Sequence, residues 1–407
     1  MKIQMKVPKL RRNNKYMKIG SFSLIKELNT SIILNTIKEK GSISRAEIAK
    51  LTGLTAATVT NITSQLLKYN LVIETRYGAS SGGRKPILLE FNYSYYNVIG
   101  VVISKQEITT SLTDLNSNLI KDIKVNLKDN VEKKDVINIV IKNTKELINF
   151  SEKKVLGLGV SVEGLIDEKN GVVVMSSSLG WKNVNIKNEL NKELHIPIFI
   201  NNDVKALAKG EEMFGKGRES SNFILLYTGF GIGASLVHDG VIYRGISNYA
   251  CELGHITIDI NGPLCSCGNH GCFQALASGE ALIKEIKSSN LKSLFEDEIT
   301  VNDIIKKIYE NNHDILKLIE KQAGYIGIGI ANIINIFNPS EIIINGYISC
   351  GPKYIKDIII NEVNNRSLLS MRESVNVLFS DLATKSQYKG AVGLFISELF
   401  ANPEFFF

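Results

Sequence analysis

Between Ser21 and Lys40 the apolar residues Leu24, Ile25, Leu28, Ile32, Ile33 and Ile37 recur at helical spacing. That periodicity predicts one amphipathic helix, closed by Gly41. Ser44-Arg45-Ala46-Glu47 then has the form of a capping box, with Ser44 as N-cap and Glu47 at the third helical position. Gly53 ends the short helix that it starts. Thr55 is placed to cap a third helix, about Thr55–Tyr69, with Val59, Ile62 and Leu66 inward and Thr58, Asn61 and Gln65 outward. Two helices joined by a short Gly-containing turn form a helix-turn-helix pattern. Leu71–Thr75 and Ile87–Phe91 follow as short strands. The Gly- and Ser-rich basic segment Tyr77–Pro86 between them makes a hairpin wing.

Beyond Tyr93 the pattern changes. Strand-like runs (Val98–Ser104, Ile108–Asp114, Leu156–Val162, Ile198–Ile200, Phe223–Tyr227, Ile342–Asn345) alternate with helical ones (Lys134–Phe150, Val184–Leu194, Asp203–Phe214). That alternation predicts an α/β body. Glycine-bearing strand clusters near Gly157 and Gly229 hint at a duplicated unit.

The chain has 407 residues, too long for one ordinary core. No window approaches 18 consecutive apolar residues, so no membrane span is predicted. The basic N-terminus lacks the apolar run of a secretory signal, and a cytoplasmic protein is expected. Charge is uneven: residues 1–92 carry a net +11, and the remainder a net −4. A basic head on a mildly acidic body suits a polyanion, here a double-stranded DNA operator. A basic tail that only aids solubility, or a helical protein-interaction module with a basic linker, are the bland alternatives. Thr55, Ala56, Ala57, Thr58 and Asn61 are the candidates to face base edges, since Asn pairs with adenine and Ala or Thr methyls suit a thymine methyl. Arg84 and Lys85 on the wing are candidates for the minor groove or phosphates. One such head binds weakly, so a homodimer on a pseudo-palindrome is expected.

The five cysteines are Cys251, Cys265, Cys267, Cys272 and Cys350. Three of them crowd into one loop, which argues for a metal over disulfides in a cytosolic chain. With His255 ten residues upstream, Cys265, Cys267 and Cys272 make a closed Cys3His set suited to structural Zn2+. Gly268 and Gly271 allow the sharp turns. His270 is the rival fourth ligand.

Several segments together resemble the ROK family of repressors and sugar kinases, and most closely its xylose-operon repressor-like members. They are Ser81-Gly82-Gly83-Arg84-Lys85-Pro86, Asn202-Asp203 ahead of Gly210-Glu211, Thr228–Gly233, Tyr243-Arg244-Gly245, Glu252-Leu253-Gly254-His255 and the cysteine loop. The resemblance implies a winged helix-turn-helix followed by a two-lobe actin-like sugar-kinase fold. Domain bounds follow: a basic arm over 1–20, the DNA-binding head over 21–92, a first lobe over 93–200 completed by about 385–407, and a second lobe over 201–384 with the zinc loop. It also implies that Asn202, Asp203, Glu252, His255 and Gln274 hold a small sugar effector, xylose or a relative, in the cleft between the lobes. Carboxylates and amides suit a ring of hydroxyls that each donate and accept. His255 would serve the metal with one ring nitrogen and the sugar with the other. Helix capping is the plain alternative for Asn202-Asp203.

The departures from the family's kinases are as telling. Those kinases open the first lobe with Asp-x-Gly-Gly-Thr, which organises magnesium and cradles phosphate. Here Val102 replaces the acid, Ser104 and Lys105 replace both glycines, and Gln106 replaces the threonine. Gln274 stands in place of a usual glutamate, Glu163 in place of a common proline, and Cys251 in place of a glycine. The expectation is a sugar-gated DNA-binding repressor with no catalytic residues. An active ROK sugar kinase carrying a DNA-binding head is the alternative. A constitutive architectural DNA-binding protein is the third reading.

Overall fold

A computed structural model of the protein describes residues 22–77, 85–128, 131–246, 248–296, 299–382 and 385–406. The expected basic arm and the wing tip with Arg84 lie outside the described residues.

The head consists of α1 (Phe22–Lys40), β1 (Ile43–Ser44), α2 (Arg45–Thr52), α3 (Ala56–Lys68), β2 (Val72–Tyr77) and β3 (Ile87–Phe91). The capping box forms in full: the Ser44 hydroxyl accepts the Glu47 amide, and the Glu47 carboxylate accepts the Ser44 amide at 2.9 Å. Gly53 closes α2 in the left-handed region at φ 73°. Thr55 caps α3 by accepting the Thr58 amide. β2 and β3 pair antiparallel, and β1 adds to the other side of β3 through Ile43 and Leu89. Ile33, Ile37, Ile48, Val59, Leu66 and Leu89 form the buried heart of this head.

One expectation fails in α1. Leu24 and Ile25 sit on the predicted apolar face, yet both are exposed, and burial begins only at Thr30. Helix lengths explain this. At 1.5 Å per residue α1 is about 28 Å long, against about 12 Å and 20 Å for the helices beside it.

The body continues with β4 (Asn97–Ile103), β5 (Glu107–Asp114), β6 (Leu119–Asn126), α4 (Lys133–Phe150), β7 (Val155–Val162), β8 (Leu165–Asp167), β9 (Val172–Ser176), β10 (Trp181–Val184), α5 (Ile186–Leu194), β11 (Ile198–Asn202) and α6 (Asp203–Phe214). It closes with β12 (Phe223–Thr228), β13 (Ile232–His238), β14 (Val241–Ile242), α7 (Phe273–Ala277), α8 (Gly279–Lys287), α9 (Val301–Tyr309), α10 (His313–Phe337), β15 (Glu341–Gly346), α11 (Lys353–Arg366), α12 (Leu369–Arg372), β16 (Asn376–Phe379) and α13 (Ser386–Ala401). Val184, expected to open a helix, instead pairs with Val173 at the end of β10.

Two five-stranded sheets carry the body, in the orders β11-β7-β4-β5-β6 and β14-β13-β12-β15-β16. Their connectivity is the same. Three strands make an antiparallel meander, and the fourth and fifth extend the sheet from the first strand. This is the duplication hinted at by the glycines, but those glycines are not equivalent. Gly157 lies on a fourth strand, and Gly229 follows a first strand.

The chain forms two compact units. One takes the chain up to Val160 with Ile186–Ile200 and Val392 onward; the other takes Ser161–Asn185 and Asn201–Ala391. The stretch 161–185 therefore clusters with the second unit.

Within the first unit the head is tied to the end of α13. A helix leaves its last carbonyls without intrahelical partners. The carbonyl of Phe400 accepts from the Ser31 hydroxyl at 2.8 Å and the Asn35 amide at 3.0 Å, both on α1. The Phe400 ring packs against Phe91 with centroids 4.8 Å apart, and the Lys38 ammonium lies 4.5 Å from its centroid. Replacing Ser31 and Asn35 together with apolar residues should strand a buried carbonyl and cost about 1–3 kcal/mol. Urea unfolding of the full chain, followed by head proteolysis, measures it, and an unchanged midpoint contradicts the role given to this carbonyl.

Candidate functional site

On the head, Thr55, Ala56, Ala57 and Asn61 are exposed along one end of α3. Thr58 is half-buried, and its hydroxyl is 2.9 Å from that of Thr55. Lys85 is exposed and lines a notch with Arg45 at the N-terminus of α2. Arg45 itself is engaged, with Nε on the Thr63 hydroxyl at 3.1 Å and a 2.8 Å ion pair to Glu74.

In the second unit the cysteine loop folds back on the turn Leu253–His255. The ligand atoms of His255, Cys265, Cys267 and Cys272 all lie within 4.8 Å of one another. Cys267 Sγ is 3.7 Å from Cys272 Sγ, and Cys265 Sγ is 3.7 Å from His255 Nδ1. Tetrahedral coordination with 2.3 Å metal–sulfur bonds needs sulfurs about 3.8 Å apart, so the donor set fits a metal ion. Burial opposes a Cys265 thiolate. Hydrogen bonds from the Cys267 amide and thiol, His255 and Cys272 outweigh it and bring the thiol down to about 6. Gly271 has φ 65°, and a Cβ there would lie 1.5 Å from the Asp259 carbonyl, so only glycine turns this corner. His270 stands apart, with Nδ1 3.3 Å from the Gly262 carbonyl.

The second constellation forms where β11 runs into α6. Asn202 caps α6, its Oδ1 accepting from the amides of Val204 at 3.0 Å and Lys205 at 3.2 Å. Its Nδ2 donates to the Gly164 carbonyl at 2.9 Å and to Asp203 Oδ1 at 2.7 Å. A carboxamide makes at most four such bonds. Asn202 is therefore saturated, and any hydroxyl that joins it must displace a partner. Burial first, then the nearby Glu163 and Glu252, push the Asp203 carboxyl up to about 7. Tyr227 faces the same acids. Burial pushes its phenol up to about 12, while Gln387 donates to the phenol oxygen at 3.1 Å. Glu163 accepts from the Ser178 hydroxyl at 2.6 Å. Gln274 donates from Nε2 toward Cys265 Sγ at 3.6 Å and Ser266 Oγ at 3.3 Å, which ties it to the cysteine loop.

Residues 98–398 match the ROK family, and residues 29–73 match a winged helix-turn-helix DNA-binding domain. The chain belongs to the ROK family. A xylose repressor of Caldicellulosiruptor bescii is 32% identical over 402 residues, covering 95% of this chain and 100% of the relative. The xylose repressor of Bacillus subtilis is 31% identical, covering 93% of this chain and 98% of the relative. A crystal structure of a ROK family transcriptional regulator, a homolog of the E. coli MLC protein, superposes with a TM-score of 0.79 at 26% identity, covering 93% of this chain and 97% of that one. The ROK glucokinase of Streptomyces griseus, solved with glucose and AMPPNP, shares the fold at a TM-score of 0.64 and 23% identity, covering 73% of this chain and 98% of that one. The fold is thus a winged helix-turn-helix followed by a ROK sugar-kinase body.

The first glycine-poor loop of this ROK chain is a closed turn. Val102 is buried, and the Ser104 amide and hydroxyl both donate to the Glu107 carbonyl, at 3.0 and 2.9 Å. The Glu107 amide in turn donates to Ser104 Oγ at 3.1 Å. Sequence reasoning missed Lys205 and Glu168 beside the constellation, and named Arg244 only as part of the resemblance, with no role at the site. A cation two positions into the apolar helix α6 was the available signal for Lys205.

Folded Asp203 keeps its proton from the unfolded value near 4 up to about 7. The folded state then binds more protons than the unfolded one in that window, so stability falls as pH rises through it. Asp203→Asn removes this loss. Its gain in unfolding temperature over the parent should grow from about pH 4.5 to about pH 8, and a gain that shrinks contradicts the raised carboxyl. For the cysteine cluster, purified protein should hold metal in equimolar amount, and chelation should lower its unfolding temperature by several degrees. Cys267→Ser should abolish metal retention and His270→Ala should not, as read by elemental analysis.

Proposed function

We propose that this ROK protein is a sugar-responsive DNA-binding repressor of a carbohydrate operon, with xylose or a related sugar as effector. One observation carries it: similarity to proteins named repressors runs through head and body together, over 93–95% of the chain. The exposed end of α3 supports insertion in a major groove, with Thr55, Ala56, Ala57 and Asn61 toward base edges and Thr58 partly withdrawn. Lys85, with Arg84, would track phosphates or the minor groove. Two heads in a homodimer supply the affinity that one lacks.

Asp203, Glu252 and His255, all in the second unit, are the proposed sugar contacts. Asn202 joins them only by exchanging a bond, and Gln274 only by leaving the cysteine loop. Zn2+ is the proposed metal, held by His255, Cys265, Cys267 and Cys272, because three thiolates and an imidazole in a closed set suit it. With Nδ1 toward the thiols, His255 keeps Nε2 for a sugar hydroxyl. Nothing in this reading is catalytic. The Ser104 and Glu107 amides bond within the turn, which supports loss of the phosphate cradle.

The sugar must bind two states of the protein unequally, by roughly 3–5 kcal/mol, to move the operator from mostly bound to mostly free. Operator affinity measured with and without D-xylose, D-glucose and N-acetyl-D-glucosamine tests this. At least a tenfold change is expected for one sugar, and no change with any sugar defeats the proposal. The second reading, a kinase with a DNA-binding head, draws on Asp203, whose carboxyl near 7 suits a general base. Steady ADP release that vanishes on Asp203→Asn would establish it.

A further inference from the structure

The proposed sugar contacts come from two places in the second unit: Asp203 on the first turn of α6, and Glu252 with His255 after β14. The segment that delivers Glu252 is conformationally unusual. Asn248 and Cys251 have φ of 66° and 72°, values that non-glycine residues rarely adopt. Such backbone persists only where its surroundings hold it. One cation and one backbone carbonyl do so here. The Lys205 ammonium, also on the first turn of α6, donates to the Asn248 carbonyl at 2.8 Å. Arg244 pairs with Glu168, and its own carbonyl accepts the Ala250 amide at 3.3 Å.

Lys205 is an expensive way to make one hydrogen bond. Its burial, and then the neighbouring Arg244, both work against its charge, and Glu168, Glu252 and Cys251 work for it. A neutral donor would reach a carbonyl without that cost. The ammonium adds a positive charge near the Glu252 carboxylate. The same bond fixes how far the Asn248–Glu252 segment stands from α6.

We propose that Lys205 is a positioning residue of the effector site: it clamps the segment bearing Glu252 to the helix bearing Asp203, and so sets the spacing that a sugar must match. This rests on the sugar-binding reading above. No sugar contact is assigned to Lys205 itself.

The test uses the full-length, metal-loaded protein. Calorimetry with D-xylose, D-glucose and N-acetyl-D-glucosamine first identifies a ligand of the parent. Lys205→Met should weaken that ligand at least tenfold. Amide exchange in the sugar-free variant should quicken at Ala250–Glu252 and stay unchanged along β12. Lys205→Arg, which keeps a cationic donor, should recover affinity to within about threefold of the parent. Parent-like affinity in Lys205→Met overturns the clamp and leaves the sugar reading intact. Loss of affinity with a matching fall in unfolding temperature, exchange quickened throughout the unit and no rescue by arginine also overturns it, because Lys205 is then a general structural residue. Failure of the parent to bind any of the three sugars overturns the sugar reading and the clamp with it.

Discussion

One carboxamide fixes the corner on which the second unit's chemistry depends. Asn202 accepts two helix amides and donates to Gly164 and Asp203, all between 2.7 and 3.2 Å. The cap satisfies two of the four orphan donors at the start of α6. The other two bonds tie in the segment beside Glu163 and set the Asp203 carboxyl. Capping and site-building are therefore one act. A residue that could only cap, such as serine, would leave Gly164 and Asp203 unheld.

That corner gathers like charges. Burial raises the Asp203 carboxyl, and Glu163 and Glu252 raise it further. Two features relieve this: a proton on Asp203 near neutrality, and the cations Lys205 and Arg244. The resulting surface holds acceptors, donors and the Asp203 proton. It suits a neutral polyol, whose hydroxyls can adapt to either state, better than a ligand of fixed charge.

The head was legible almost residue by residue, because local rules fix it. The Ser44 capping box, the Gly53 stop and the Thr55 cap all act within four residues. The metal set was legible for a similar reason, since three of its ligands share one loop. What a sequence conceals is the non-local bond. Nothing in α1 announces that Ser31 and Asn35 reach the carbonyl of Phe400, some 365 residues away. Asn202 was readable as a cap and as a site residue, but its saturation appears only when Gly164 and Asp203 are in place. The acceptor of the Lys205 ammonium, the Asn248 carbonyl, lies 43 residues away. In each case the missing information was a partner.

The two glycine loops illustrate why motif survival and function need separate arguments. The second loop, Gly229-Phe230-Gly231-Ile232-Gly233, keeps its glycines while the first has lost them. Packing supplies a reason unrelated to nucleotide. The carbonyls of Gly229 and Phe230 accept the amides of Gly279 and Glu280 at 2.9 and 2.8 Å, at the start of α8. A Cβ on Gly229 would lie 2.3 Å from the Tyr227 ring, and one on Gly233 would lie 2.5 Å from Val204. These glycines are needed to seat α8 and α6 whether or not a phosphate ever arrives. In the first loop Ser104 closes the turn on Glu107. Survival of the second glycine loop therefore carries no argument for nucleotide by itself, because packing alone accounts for its glycines.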